Sequence, residues 1–119
     1  MSTVMVVDDE LNVARKLVQQ LKEWGYSVAA QATSGTMAVL KARSIEMDAI
    51  IMDVELRSNM DGIAAALSIT KDHNIPIVFL GAKPIDEYSE RLAGCGRYIY
   101  LEKHGEIDTV RESLERLLQ

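Results

Sequence analysis

The chain has one cysteine among its 119 residues, Cys95, so no disulfide can form within it. A lone cysteine is typical of proteins from reducing compartments, and we therefore expect a cytoplasmic protein. No stretch of the sequence approaches the roughly 18 consecutive apolar residues that a membrane-spanning helix requires. The N-terminus also lacks the basic segment, apolar stretch and cleavage site of a secretory signal. These absences predict a protein with no membrane segment.

Basic residues are outnumbered by acidic ones. The sequence has 13 Lys and Arg against 18 Asp and Glu, which gives a formal net charge of −5. Nucleic-acid-binding surfaces are usually basic, so we expect no nucleic-acid partner for this chain. A hydrophobic fraction of 48% is ordinary for a globular protein, and the length predicts one domain over residues 1–119.

Short apolar runs alternate with amphipathic segments five times along the chain. Runs of about four apolar residues are typical of strands that are buried on both faces of a parallel sheet. We predict strands at residues 4–7, 26–31, 48–53, 77–80 and 98–101 and helices at residues 10–24, 34–43, 61–72, 86–93 and 106–118. This alternation predicts an α/β fold with a five-stranded parallel sheet, doubly wound and flavodoxin-like, in the strand order 2-1-3-4-5.

Charged residues follow three of the predicted strands at the point where each strand ends. Asp8 and Asp9 follow the first strand, Asp53 ends the third, and Lys103 follows the fifth. Alone, the acidic pair is also typical of a first helical turn that complements the helix dipole. In the predicted order, however, these strand ends share one edge of the sheet, where Mg²⁺ would relieve the repulsion between the carboxylates. The residues therefore predict a site for Mg²⁺ and an anion, with Asp53 as the reactive group and Lys103 on a phosphoryl oxygen.

Several short motifs follow one another along the chain: Val-Val-Asp8-Asp9-Glu10, Ile-Ile-Met-Asp53, Met60-Asp61-Gly62-Ile63, Ile75-Pro76-Ile77-Val78-Phe79-Leu80, and Tyr100 three residues before Lys103. Each motif is weak alone, whereas their common order and spacing are specific. Together they resemble the receiver domain of response regulators in two-component signalling, of the chemotaxis-regulator type. The resemblance covers essentially the whole chain.

The resemblance implies a role for each residue at this edge of the sheet. Asp53 is the expected phosphoacceptor, Asp9 is expected to bind Mg²⁺ directly, and Asp8 more often through water. The backbone carbonyl of Glu55 is expected to complete the protein ligands of Mg²⁺, and Lys103 to contact the phosphoryl group. The side chain of Glu55 either tunes the lifetime of the phosphoryl group or is simply exposed.

The sequence departs from the family pattern at two positions. Gly81 stands where the family usually ends the fourth strand with a Thr or Ser hydroxyl that binds the phosphoryl group, and the usual small residue, Ala82, follows. In the family, movement of that hydroxyl residue vacates space for an aromatic switch residue, which the resemblance assigns to Tyr100; without the hydroxyl, Tyr100 is equally a plain core aromatic. His104 replaces the proline that usually follows Lys103, often after a cis peptide. A cis peptide before a non-proline residue costs about 2.5–4 kcal/mol, so we expect a trans or strained bond.

Three functions fit these residues. In the first, a histidine kinase or phosphotransfer protein donates a phosphoryl group to Asp53, and the changed surface acts on an output domain or protein. The domain would then phosphorylate itself without being a turnover enzyme. In the second, the chain is a pseudo-receiver that binds partners while phosphorylation is silent or absent, because Gly81 replaces the hydroxyl. In the third, it is an aspartyl phosphatase or phosphotransferase, although such enzymes commonly have aspartate where this chain has Glu55.

Overall fold

A single parallel sheet with helices on both faces makes up the computed structural model, which describes residues 2–119. The strands are β1 (Thr3–Val7), β2 (Ser27–Ala32), β3 (Ala49–Asp53), β4 (Ile77–Gly81) and β5 (Tyr98–Glu102). The helices are α1 (Leu11–Glu23), α2 (Gly35–Ser44), α3 (Gly62–Asp72), α4 (Ser89–Leu92) and α5 (Ile107–Leu117). The strands are paired in parallel in the order β2-β1-β3-β4-β5, which confirms the predicted fold.

The register of the sheet aligns the carboxyl ends of its central strands. Val7 of β1 pairs with Met52 of β3, so Asp8 and Asp53 follow at equivalent positions. The last residues of β4 and β5 are also paired with each other. The chain segments that leave these strands therefore begin at one edge of the sheet, which is where ligands bind in folds of this kind.

Side chains of the central strands alternate between two hydrophobic layers. Met5, Ile50 and Phe79 pack on one face of the sheet with α2, α3 and α4. Val6 and Ile51 pack on the opposite face with α1 and α5. Burial on both faces explains why these strands read as continuous apolar runs.

The predicted helix ends agree with the structure where capping chemistry is strong. Gly25 follows α1 with a φ of +92°, a left-handed conformation that glycine adopts without steric cost. The hydroxyl of Ser34 accepts a hydrogen bond of 3.1 Å from the backbone N–H of Met37 and so caps α2. His104 has a φ of +69°, and no peptide bond between residues 2 and 119 is cis, so the bond before His104 is trans.

Three predicted features of the helices are wrong. The spacing of apolar residues in these helices predicts that Leu11 and Ile107 lie on buried faces, but they are 61% and 41% exposed. Both are the first residues of their helices. The predicted helix at 86–93 is instead a 3₁₀ turn (Ile85–Glu87) followed by α4, because Tyr88 has a non-helical φ of −124°. None of the helices formed by residues 2–119 is long and apolar enough to cross a membrane.

Candidate functional site

Three carboxylates come together at the carboxyl edge of the sheet. One oxygen from each of Asp8, Asp9 and Asp53, here called the acidic triad, lies within 4.8 Å of the others. Asp8 and Asp53 are each only 1% exposed. Within residues 2–119, the Oδ2 atom of Asp8 and both carboxylate oxygens of Asp53 are buried without a well-directed hydrogen bond. Buried polar atoms normally have partners, and carboxylate oxygens are preferred ligands of Mg²⁺, so the triad fits such an ion.

The ammonium group of Lys103 lies among these carboxylates. Its Nζ atom is 3.1 Å from Oδ2 of Asp53 and 3.2 Å from Oδ2 of Asp8, at distances typical of ion pairs. A third carboxylate, Glu10, is 3.3 Å away on the solvent side. The Lys103 side chain is only 7% exposed, so a compact positive charge is held at the acidic triad.

The electrostatics of the site perturb its titration. The pKa of Asp53 is raised to about 6, mainly by burial and then by the negative charge of Asp8, while Lys103 opposes both effects. Burial works against the charged form of Lys103, but its ion pairs with Asp53 and Asp8 outweigh burial and raise its pKa. Burial also works against ionised Asp9, yet hydrogen bonds from Arg57 outweigh it and lower the pKa of Asp9. This edge of the sheet is therefore negatively charged and holds one buried cation, the ammonium group of Lys103.

Two ion pairs of the site were not predicted from the sequence. The backbone N–H of Arg57 donates to Oδ2 of Asp9 over 2.9 Å, and its Nε donates to the same oxygen over 3.1 Å. In the sequence, Glu10 is only the last residue of an acidic run, whereas the structure pairs it with Lys103. Both partners lie on irregular loops, for which hydrophobic periodicity gives no signal.

The start of α3 explains the motif around Asp61 and Gly62. A Cβ atom on Gly62 would overlap the backbone carbonyl of Asp53, so only glycine lets α3 approach the end of β3 this closely. A carboxylate oxygen of Asp61 caps α3 by accepting from the N–H of Ala64 over 2.9 Å. The same carboxylate binds Arg91 of α4 through two hydrogen bonds of 2.8 and 2.9 Å. The motif thus fixes the start of α3 next to Asp53 and binds α4 to the start of α3.

Tyr100 occupies the space beside Gly81. A Cβ atom on Gly81 would lie 2.7 Å from Cζ and 2.8 Å from Cε2 of the tyrosine ring. The hydroxyl of Tyr100 donates to the backbone carbonyl of Lys83. Its ring also packs against the ring of Tyr88, with 5.8 Å between the centroids. The missing side chain at the end of β4 is therefore replaced by an aromatic ring from β5.

The carboxylate of Glu55 binds two groups of the next loop. Its Oε1 atom accepts a hydrogen bond of 2.7 Å from the backbone N–H of Ala82, and its Oε2 atom accepts one from the hydroxyl of Tyr88. The side chain is half-buried, so the expectation of a simply exposed Glu55 is wrong. Burial raises the pKa of Tyr88, and the nearby Glu55 carboxylate raises it further. Tyr88 lies 33 positions from Glu55, and no motif in the sequence connects the two residues.

The fold thus places an acidic triad and a buried lysine at one end of a five-stranded parallel sheet. A family model described as the response regulator receiver domain matches residues 4–115. The chain belongs to this family. The resemblance inferred from the short motifs is therefore confirmed, and with it the assignment to two-component signalling.

Known receiver-containing proteins are similar to this chain over nearly all of its length. Transcriptional regulatory protein PdtaR of Mycobacterium tuberculosis is 33% identical over 112 residues, which cover 94% of this chain and 54% of PdtaR. The chain therefore spans about half the length of that relative. Chemotaxis protein CheY of Treponema pallidum is 32% identical over 119 residues, which cover 98% of this chain and 82% of CheY.

A solved structure shares the fold of this receiver domain closely. It is the receiver domain of sensor histidine kinase PA1611 from Pseudomonas aeruginosa, described with a magnesium ion coordinated in its active site cleft. The two structures superpose with a TM-score of 0.85 at 26% sequence identity. The match covers 98% of this chain and 97% of the other.

Proposed function

We propose that this receiver domain accepts a phosphoryl group on Asp53 from the phosphohistidine of a histidine kinase or phosphotransfer protein. The observation that carries the proposal is the burial of the Asp53 carboxylate next to the ammonium group of Lys103. The Oδ1 atom of this carboxylate is buried and has no hydrogen-bond donor among the residues that the structure describes, and the ammonium group of Lys103 lies 3.1 Å from its Oδ2 atom. A reactive anion next to a fixed cation is the arrangement that an incoming phosphoryl group requires.

The chemistry follows from the charges of these groups. With a pKa of about 6, Asp53 is mostly ionised at neutral pH and can act as a nucleophile. Its oxygen attacks the phosphorus atom, an O–P bond forms, the P–N bond of the phosphohistidine breaks, and the imidazole leaves with the electron pair. Lys103 remains charged and neutralises the negative charge that is brought beside Asp53.

The acidic triad supports Mg²⁺ as the cofactor of this transfer. The carboxylates of Asp8, Asp9 and Asp53 would hold the ion together with the backbone carbonyl of Glu55. Bound Mg²⁺ would supply the positive charge that draws Asp53 and the phosphoryl oxygens together. The magnesium ion described in the related receiver domain of PA1611 also supports this assignment.

The proposed reaction makes the domain an acceptor that is modified once, rather than a turnover enzyme. Its phosphorylated surface would act on an output domain or protein in the cytoplasm. Similarity to a transcriptional regulatory protein and to a chemotaxis protein supports such an output role.

Mass spectrometry after incubation with acetyl phosphate and Mg²⁺ tests this proposal. We expect the protein to gain the mass of one phosphoryl group, and hydroxylamine should remove it because an acyl phosphate is labile. Asp53→Asn should not gain this mass because it lacks the nucleophile, and it should remain folded because it removes no core volume. Equal labelling of Asp53→Asn, or label mapped to another residue, would contradict the assignment.

A second candidate function is an interaction module in which phosphorylation is silent or absent. The observation that favours it is Tyr100, which already fills the space beside Gly81 in the unmodified protein. The same labelling experiment separates the two functions. A protein without any mass gain, in buffer where Mg²⁺ is shown to bind, would favour the interaction module.

A further inference from the structure

The Ala82 amide is the key feature of the loop that follows β4. Asp53 pairs with Leu80 across β3 and β4, so Ala82 follows at the same sheet edge as the phosphoacceptor. Gly81 contributes no hydroxyl there, which leaves backbone N–H groups as the donors that the end of β4 offers to an anion. The Ala82 N–H already donates to the Glu55 carboxylate over 2.7 Å. An anionic side chain therefore occupies a donor that a phosphoryl oxygen would also use.

Glu55 connects this amide to Tyr88. The second oxygen of its carboxylate accepts the Tyr88 hydroxyl, and the Tyr88 side chain is only 9% exposed. The backbone carbonyl of Tyr88 in turn accepts from the N–H of Leu92 over 2.9 Å, within the single turn of α4. The position of α4 thus depends on a residue that Glu55 holds.

The segment between β4 and α4, residues 82–88, is suited to report a change. Residues 82–87 are all exposed, whereas Tyr88 at its end is buried. Three hydrogen bonds hold this segment to the sheet edge: Ala82 and Tyr88 each donate one to the Glu55 carboxylate, and the Tyr100 hydroxyl donates one to the Lys83 carbonyl. Loss of the Glu55 bonds would leave the segment attached mainly through Tyr100.

We infer that Glu55 acts as the switch residue that the missing hydroxyl would otherwise provide. The Glu55 carboxylate binds Ala82 and Tyr88 while Asp53 is unmodified. A phosphoryl group on Asp53 accepts the hydrogen bond from the Ala82 N–H instead and displaces the Glu55 carboxylate. The acyl phosphate carries about two negative charges where the ionised Asp53 carboxylate carried one, and the added negative charge acts in the same direction, because like charges repel. Tyr88 and the segment 82–88 are then released. This inference rests on the proposed phosphorylation of Asp53.

Amide NMR spectra with Mg²⁺ and beryllofluoride, a phosphoryl mimic, test the inference. In the unaltered protein, the mimic should shift the amides of Asp53 and Lys103 and also those of Ala82 and residues 85–92. In Glu55→Ala, the free protein should already show residues 82–92 near their mimic-bound positions. Adding the mimic should then cause little further change there, and it should bind several-fold more tightly because the Ala82 amide is free.

Two further variants separate the parts of the inference. Tyr88→Phe removes only the hydroxyl, so residues 88–92 should move in the free protein while the Ala82 amide still responds to the mimic. Glu87→Ala removes an exposed carboxylate from the same segment and should respond to the mimic like the unaltered protein.

The possible failures are distinguishable. Shifts confined to the vicinity of Asp53 and Lys103 would overturn the role of Glu55 and leave the proposed phosphorylation intact. The same would follow if Glu55→Ala responded across residues 82–92 as the unaltered protein does. Absence of any mimic binding, together with no mass gain from acetyl phosphate, would overturn both the inference and the proposed function.

Discussion

The most direct test of the site is the stability of Asp53→Asn without metal. Asp53 is 1% exposed, and its pKa is raised from 3.8 to about 6 by burial and by Asp8. The folded state therefore binds this proton more tightly than the unfolded state does. Stability from the protonated carboxyl is fully present below about pH 4 and is lost as the pH rises through about 6. At neutral pH, ionised Asp53 consequently destabilises the metal-free protein.

The expected size follows from the two pKa values. A difference of one in pKa corresponds to about 1.4 kcal/mol, so the change from 3.8 to about 6 corresponds to at most about 3 kcal/mol. Screening by solvent and salt reduces this value, and we expect Asp53→Asn to be more stable by about 1–3 kcal/mol at neutral pH. Lys103 keeps its ion pairs with Asp8 at 3.2 Å and Glu10 at 3.3 Å, so its charge stays compensated.

Urea denaturation in the presence of EDTA, from about pH 4 to about pH 7, measures this difference. The two proteins should differ little at the acidic end, and the advantage of Asp53→Asn should grow as the pH rises. Asp72→Asn changes an exposed carboxylate and serves as the control, with no such trend expected. A variant that is less stable than the unaltered protein at neutral pH would show that the Lys103 ion pair outweighs burial, and would refute the reasoning.

Three further predictions concern the neighbours of Asp53. Mg²⁺ should raise the melting temperature of the unaltered protein, and Asp9→Ala should abolish this effect in a thermal shift assay because it removes a triad carboxylate. Arg57→Ala should tighten Mg²⁺ binding several-fold in calorimetry, since Arg57 competes for the same Asp9 oxygen; unchanged or weaker binding would contradict that competition. Gly81→Ala should destabilise the fold by about 1–3 kcal/mol through overlap with Tyr100, and by clearly less in a Tyr100→Leu background; equal costs in both backgrounds would exclude the overlap.

The parts of the site that the sequence could predict are attached directly to strand ends. Asp8, Asp53 and Lys103 each lie within one or two residues of an apolar run that forms a strand, and the order of parallel strands brings such ends together. Leu11 shows where this logic stops. Ala14, Leu17 and Leu21 form the buried face of α1, whereas Leu11, the first residue of the same helix, is exposed although it is apolar.

Contacts between loops could not be predicted from the sequence, and the physical reason is a different one. The Glu55 carboxylate meets the Ala82 amide and the Tyr88 hydroxyl across 27 and 33 positions of chain. These contacts depend on the conformations of two irregular loops, each without a repeating side-chain period. The contact between Arg57 and Asp9, which lie 48 positions apart, likewise depends on the conformation of an irregular loop. The packed sheet fixes where the loops begin, and the conformations of the loops then bring these side chains together.

The glycine at the end of β4 has a structural consequence that its missing hydroxyl alone does not suggest. Tyr100 packs against Gly81 and donates to the Lys83 carbonyl before any modification of Asp53. A ring that is already in place cannot report phosphorylation by moving into that space. The signal then has to pass through a group that an added phosphoryl group displaces, and the Glu55 carboxylate on the Ala82 amide is such a group. Variants of the Glu55–Tyr88 hydrogen bond should therefore change the response of α4 while Asp53 is still phosphorylated.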